Sequence, residues 1–349
     1  MDERSGPTET SRTRVVLFGV GTVGTATLDL CRRRQWIDVV GAIRGPEKRR
    51  SGSLERPTAW DGVELWTDPD AMLDDTAPAI ALIATRSPLA AVMPDIERCA
   101  RRGIHVICTS EELAWPDVEK PGEGQRLHHY AADAGVTIVA TGINPGFVFD
   151  ALPVMLAGAA WDVQSIRVER VLDASVFGQT VHRSLGIGYH PEEFQRAVAS
   201  REVRGHIGFA ESANAIAAAM GVEIEDFTEH LAPVPAEQVH ELREYRIEPP
   251  TTAGVTQVAT ATSHGREWLR FDLSLHVAPD SVGWETHDRI HVVGDNDLDL
   301  TIAPGAQAVL TTAARLVNTI PAALVASPGF YPASRLLPNP PWLADRAPL

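Results

Sequence analysis

Cysteine is scarce in this chain. Its 349 residues include three, Cys31, Cys99 and Cys108, an odd count without the paired spacing of a zinc site. That excludes a disulfide-stapled secreted scaffold and fits a reducing compartment, with the thiols buried or inert. Positive charge is also short. Against 46 acidic side chains stand 31 Lys and Arg, a formal net charge of -15, which argues against a nucleic-acid partner because phosphate binding needs a broad cationic surface. Met1 to Thr13 lacks the apolar core of a signal peptide, and no later stretch reads as apolar for long enough to cross a bilayer. No membrane partner is therefore expected, and the protein is read as cytoplasmic with residues 1–13 as a disordered tail. Zinc spacing, a GxSxG elbow, a Walker sequence and internal repeats are all missing, so no metal site is expected.

What is present suits a globular protein of two domains, with 44% hydrophobic and 22% charged residues, the ordinary balance for a folded chain of this length. Val15-Val16-Leu17-Phe18 reads as a buried strand and Thr25 to Leu30 as a helix. Between them Gly19, Gly21, Thr22, Val23 and Gly24 form a GxGxxG turn. The first glycine allows the tight turn, the second lets a pyrophosphate approach the backbone and the third lets helix and strand pack closely. A second strand, Asp38 to Ile43, follows at the spacing of a βαβ unit, which favours dinucleotide binding over a turn made for packing alone. The acid that accepts the ribose hydroxyls of NAD is missing from the end of that strand. Arg44 stands there, followed by Lys48, Arg49 and Arg50. A cationic cluster suits the 2′-phosphate of NADP(H), with NAD(H) left open, although a solvated basic loop would read the same way.

Further along, Val63 to Trp66, Ala79 to Ala84, His105 to Cys108 and Val136 to Val139 read as strands, with helices over Ala91 to Arg102 and Leu127 to Ala134. Continuous apolar strands are typical of a parallel sheet covered on both faces, and ligands bind beyond their carboxyl ends. Thr85 and Arg86 follow one such end and are candidates for touching the cofactor, although a plain strand-to-helix cap would read the same way, and Glu111 and Glu112 follow another. The two acids read equally well as a proton-exchanging group beside a nicotinamide and as partners of the next helix dipole, with Ser110 as its cap. Asn144-Pro145-Gly146 signals a turn, and an apolar helix from Phe149 to Leu156 carries the chain into a second domain. There Ser165 to Leu172, Val239 to Ile247, Val255 to Ala261, Trp268 to Val277 and Ile290 to Val293 read as strands, and Pro191 to Ala199 and Glu211 to Met220 as helices. A last helix, Gly305 to Asn318, is stopped by Ile320-Pro321, and the Pro-rich remainder reads as irregular. The fold class is α/β: a Rossmann domain over residues 14–148, an α+β substrate and dimerisation domain on an open, mostly antiparallel sheet over 149–304, and a tail over 305–349 returning to the first.

Five segments taken in order, Gly19 to Gly24, Thr109 to Pro116, Thr141 to Phe147, Ser175 to Gly178 and Gly205 to Ser212, resemble 2,4-diaminopentanoate dehydrogenase and the native NAD(P)H-dependent amine dehydrogenases. The resemblance runs from about Arg14 to about Pro338. It implies a dihydrodipicolinate-reductase type of Rossmann domain and a homodimer formed through the second domain's sheet. It also implies reductive amination of a small aldehyde or ketone with ammonia, and the reverse deamination of a primary amine. On that pattern the essential catalytic acid falls on Glu111, with Glu112 as the adjacent candidate, and Asn144 joins the cofactor-binding set. The substrate pocket falls on Arg170, Leu172, Phe177, His276 and Thr312. Leu172 departs from the polar residue of the diamino-acid enzymes, so a less functionalised substrate is expected. A dehydrogenase of the same fold for 2,4-diaminopentanoate or another amino acid, and a non-catalytic dinucleotide sensor, are the other readings.

Overall fold

Apolar runs buried on both faces build the first sheet. The computed structural model describes residues 12–45, 58–242 and 245–336, and they divide into two units. One runs to Ile143 and resumes at Ala308, and the other is Asn144–Gln307. The first unit opens with β1 (Thr13–Phe18), α1 (Thr22–Arg32), β2 (Ile37–Ile43), β3 (Leu65–Trp66), α2 (Pro69–Thr76), β4 (Ile80–Ile83), α3 (Leu89–Ala100), β5 (His105–Cys108), α4 (Glu123–Asp133) and β6 (Thr137–Ala140). The second holds α5 (Ala151–Ala157), β7 (Val163–Asp173), α6 (Gln179–Leu185), α7 (Pro191–Ala199), α8 (Phe209–Met220), β8 (Asp226–Pro235), β9 (His240–Glu241), β10 (Arg246–Ile247), β11 (Thr252–Ser263), β12 (Arg266–His276), β13 (His287–Gly294) and β14 (Leu298–Ile302). The chain then returns to the first unit through α9 (Ala308–Val325) and β15 (Gly329–Tyr331).

The seven strands of the first sheet run in the order β15-β6-β5-β4-β1-β2-β3, each pairing parallel to its neighbour. Side-chain parity separates two cores. Val16, Phe18, Ala81, Ile83, Val106 and Ile138 face α2, α3 and α4, whereas Val15, Leu17, Ile80, Leu82, Ile107 and Val139 face α1 and α9. This is a doubly wound α/β sheet. The six-stranded sheet of the second unit runs β14-β13-β7-β12-β11-β8, antiparallel except where β12 lies parallel to β7. The α/β class and the mostly antiparallel second sheet are thus as the sequence predicts.

Several expected elements change at their edges. Thr13 lies inside β1, paired with Ile37, so it is not part of a tail; residues 1–11 fall outside the described ones. The expected helix from Phe149 starts only at Ala151, because Asp150 caps it by accepting the Ala151 N–H. The single strand expected over Val239 to Ile247 is two short ones, β9 and β10, folded back on each other. Pro321 does not stop α9, which continues to Val325. Proline in a helix interior costs about 3 kcal/mol. Burial of Leu316, Val317, Ile320 and Ala323 against α1 and the sheet offsets this, since each large aliphatic side chain contributes roughly 1.5–3 kcal/mol. This 18-residue helix is also long and apolar enough to cross a bilayer, contrary to the sequence reading. It passes on length and composition alone, and half of it is buried inside the protein. The remainder expected to be irregular supplies β15, paired with β6. Elements missed altogether are α2, α6, β8 and β14.

One row of the second sheet is polar although it faces the core. Register aligns Gln257, Leu273, Arg170 and Asp288 across β11, β12, β7 and β13. Arg170 and Asp288 have no exposed side-chain surface and lie 3.4 Å apart. Arg170 Nη2 donates to the Ala306 carbonyl at 2.7 Å, and the Ala306 N–H donates to Asp288 at 2.7 Å. Arg170 Nε and Nη1 and Asp288 Oδ1 have no hydrogen-bond partner. Burial pulls the Arg170 guanidinium below its ordinary value and pushes the Asp288 carboxyl up, each opposed by the other's charge. Removing one member strands the other. Arg170→Met should therefore lower stability by about 3–5 kcal/mol, and an added Asp288→Leu should recover part of it, as read from denaturant unfolding.

Candidate active site

Three glycines at the end of β1 have different tasks. Gly19 sits at φ +105°, and a Cβ there would lie 2.4 Å from the Ala84 carbonyl oxygen. A Cβ on Gly24 would fall 1.9 Å from the Gly19 oxygen. Both positions are closed to any side chain by backbone. Gly21 differs, since a Cβ there would meet nothing within 4 Å. It is the N-cap of α1 with no side chain capping the helix, so the space before Thr22 and Val23 is open where the amides of the first turn carry partial positive charge. An open glycine at an uncapped helix start fits a dinucleotide pyrophosphate. The residues that could hold that group are Gly19, Gly21, Thr22, Val23 and Gly24, with the Thr85 methyl packed on the same turn, 3.3 Å from a Gly19 Cβ.

Arg44 follows β2 directly, its backbone N–H donating to the Trp66 carbonyl at 2.9 Å. Arg86 is exposed beyond β4. Arg49, with Lys48 and Arg50, lies outside the described residues.

The adjacent acids beyond β5 have separate environments. Glu112 Oε2 accepts the Leu89 N–H at 2.6 Å, which places its carboxylate on the first amide of α3, where the helix dipole favours negative charge. Ser110 caps no helix. Its hydroxyl donates to the Ser87 carbonyl at 2.5 Å. With the Glu112 N–H donating to the Ser87 carbonyl at 3.4 Å, three bonds tie the segment after β5 to the segment after β4, and Glu111 lies among them. Glu111 is half-buried. Burial raises its carboxyl above the ordinary range, the Ser87 hydroxyl and a backbone amide oppose this by hydrogen bonding, and the negative Glu112 adds a smaller upward push. The sequence did not single out Ser87 as a partner, because nothing in its spacing shows which loops meet.

In the second unit, Arg170 and Leu172 share the core-facing side of β7, whereas His276 has the opposite parity on β12. The structure does not bring His276 to them. It is wholly buried, its Nδ1 accepts the Ala278 N–H at 3.0 Å, and its ring is packed by His240 and Trp284. Phe177 closes the 3-10 turn Ala174–Val176. Thr312 is on α9 in the other unit. Asn144 meets His206, Nδ2 to Nε2 at 3.4 Å. Nearby Asp150 is buried and accepts from Gly146 and Ser212, fixing the turn that opens the unit. Burial pushes all three cysteine thiols up to about 12, so they are inert as nucleophiles. No metal-binding cluster occurs among the described residues.

Fold and glycine turn together define an oxidoreductase that uses a nicotinamide dinucleotide. Residues 13–142 match the NAD-binding Rossmann domain of an oxidoreductase family. Residues 147–345 match the 2,4-diaminopentanoate dehydrogenase C-terminal domain, and the chain belongs to that family, whose chemistry is at amino groups. It is 26% identical to a 2,4-diaminopentanoate dehydrogenase of Acetoanaerobium sticklandii over 92% of each chain. It is 24% identical to an amine dehydrogenase of Streptomyces virginiae over 61% of each. An amine dehydrogenase structure from Mycobacterium smegmatis shares the fold, with a TM-score of 0.78 and 23% identity, covering 97% of this chain and 98% of that one.

The separation of the two acids can be checked on stability alone. Glu112→Ala should cost about 1 kcal/mol of unfolding free energy, as for other lost helix caps. Glu112→Gln, which keeps an acceptor oxygen for Leu89, should cost less in the same denaturation measurement.

Proposed function

We propose that this protein is an NADP(H)-dependent amine dehydrogenase. It joins a small aldehyde or ketone to ammonia and reduces the product to a primary amine, and it runs the reverse deamination. The observation that carries this reading is Glu111: a half-buried carboxyl beyond a Rossmann strand whose neighbour Glu112 already serves the helix. The cofactor supplies the hydride.

Glu111 holds ammonium, accepts its proton as nitrogen attacks the carbonyl carbon, and returns a proton to the hydroxyl that leaves as water. The carboxylate then faces the iminium and stabilises its positive charge. A carboxyl with a raised pKa suits both directions of transfer better than one at the ordinary value, because it protonates closer to neutral pH. Arg44 supports the choice of NADP(H), since a guanidinium pairs with a 2′-phosphate where an acid would pair with ribose hydroxyls. The working form we propose is a cytoplasmic homodimer.

Family membership also favours a second reading, a dehydrogenase for 2,4-diaminopentanoate. Against it, Arg170 is fully buried and committed to Asp288 and Ala306, and Leu172 beside it is apolar. A substrate carboxylate would meet neither a donor nor a cation exposed at that position.

Carbonyl-dependent NADPH oxidation should require ammonium; turnover indifferent to ammonium would defeat the proposal, and a panel with 2,4-diaminopentanoate separates the second reading. Glu111→Gln should abolish turnover while still binding NADPH. In the wild type, activity should rise with pH as Glu111 ionises, and that limb should lie above the ordinary glutamate value of about 4.3 because burial raises the group. Arg44→Ala should weaken NADPH binding roughly tenfold, about 1.4 kcal/mol, and leave NADH binding unchanged in fluorescence titrations.

A further inference from the structure

Gln257 has no part in the chemistry above, yet it is wholly buried in the polar row of the second sheet. Its Oε1 accepts the His206 N–H at 2.7 Å. Its Nε2 donates to the carbonyl of the same residue at 2.9 Å and to the Glu229 carboxylate on β8. Both main-chain groups of His206 are thus held by one side-chain amide. Gly205 accommodates this at φ +66°, where a Cβ would lie 2.3 Å from Gln257 Oε1.

The His206 ring packs edge-on against Phe209, centroids 4.9 Å apart, and 6.1 Å from Phe149. Burial, assisted by the Arg170 charge, pushes its pKa down to about 3, so the imidazole is neutral. A neutral ring protonated at Nδ1 offers Nε2 as an acceptor, and Asn144 Nδ2 lies 3.4 Å from it. With its amide nitrogen donating there, Asn144 has Oδ1 left as an acceptor, and no described residue donates to it.

We propose that Gln257, braced by Glu229, is a positioning residue that holds His206 and through it fixes the rotation of the Asn144 carboxamide, presenting Asn144 Oδ1 to an N–H group of a bound ligand. Two ligands carry such a group: the carboxamide of the nicotinamide, and the ammonium or amine. Rotating the carboxamide by half a turn would point an amide donor at that N–H instead, so control of the rotation is control of binding. Only the second ligand rests on the amine-dehydrogenase reading.

The test uses the full-length chain. Imidazole nitrogen shifts of isotope-labelled protein should show His206 as a single Nδ1–H tautomer across the neutral range, and Gln257→Leu should turn it into a tautomer mixture. The same variant should weaken one binding constant roughly tenfold, about 1.4 kcal/mol. A weaker NADPH Kd without substrate assigns the acceptor to the nicotinamide carboxamide; a raised KM for ammonium at unchanged NADPH Kd assigns it to the amine. Glu229→Leu should move the same readouts less, and Glu229→Gln, which keeps an acceptor oxygen, should restore them. That pair carries the test should Gln257→Leu fail to fold. An unchanged tautomer with both constants within about twofold of wild type, or Glu229→Gln no better than Glu229→Leu, overturns the proposal. Were the wild type to lack ammonium-dependent turnover, the tautomer and the NADPH titration would still decide it.

Discussion

The hydrogen bond from the Leu89 N–H to the Glu112 carboxylate is the constraint on which the proposed chemistry depends. A helix leaves its first N–H groups without partners, and a carboxylate is the best acceptor for them because the dipole adds to the bond. Once Glu112 is committed there, the neighbouring backbone has little freedom. The bond between Ser110 and Ser87 fixes the same segment from the other side. Glu111 is then held between two strand ends in a half-buried place. Burial is the larger cause of its raised carboxyl pKa, and the ionised Glu112 adds to it. One acid is thus spent on structure, and in that position it also tunes the other.

Much of the first unit was legible in the residue pattern. Apolar runs with no alternation mark strands covered on both faces, and Gly19, Gly21 and Gly24 mark the turn, two of them demanded by backbone contacts and the third leaving the space before the helix open. The EE pair was legible as a place but not as two roles. Assigning those roles needs the knowledge that the loop after β4 meets the loop after β5, which is tertiary information. The end of α9 was misread for a similar reason. Pro321 is a valid stop signal locally, and it is overridden by the apolar contacts that Leu316, Val317, Ile320 and Ala323, on both sides of it, make in the core.

In the second unit Leu269, Phe271, Leu273 and Leu275 alternate with polar residues along β12, and their burial follows that pattern. The same rule applied to β7 and β11 puts Arg170 in line with Ile166 and Val168, and Gln257 in line with Val255 and Ala259. That parity is a signal present in the sequence. The resemblance instead puts Arg170 in the substrate pocket, and Gln257 has no expected role. Register is what parity cannot supply. Only the pairing of β7 with β13 shows that Arg170 sits opposite Asp288, and only the path of the Gly205 loop shows what Gln257 holds. The same register puts His276 on the other side of the sheet from Arg170.

The buried pair bears on what the protein can bind. A guanidinium offered to a substrate carboxylate must be reachable and must gain more from the ligand than it loses from its present partners. Arg170 would have to leave Asp288 behind with no exposed surface and the Ala306 carbonyl without its donor. Stranding a buried charge costs about 3–5 kcal/mol, and a hydrogen bond to a charged group returns about 1.5–3 kcal/mol. The exchange is unfavourable, so the charge of Arg170 stays internal. Together with the apolar Leu172 on the same face, this arrangement supports the proposed reading of a small carbonyl substrate without a carboxylate, and it does so through the cost of breaking the pair.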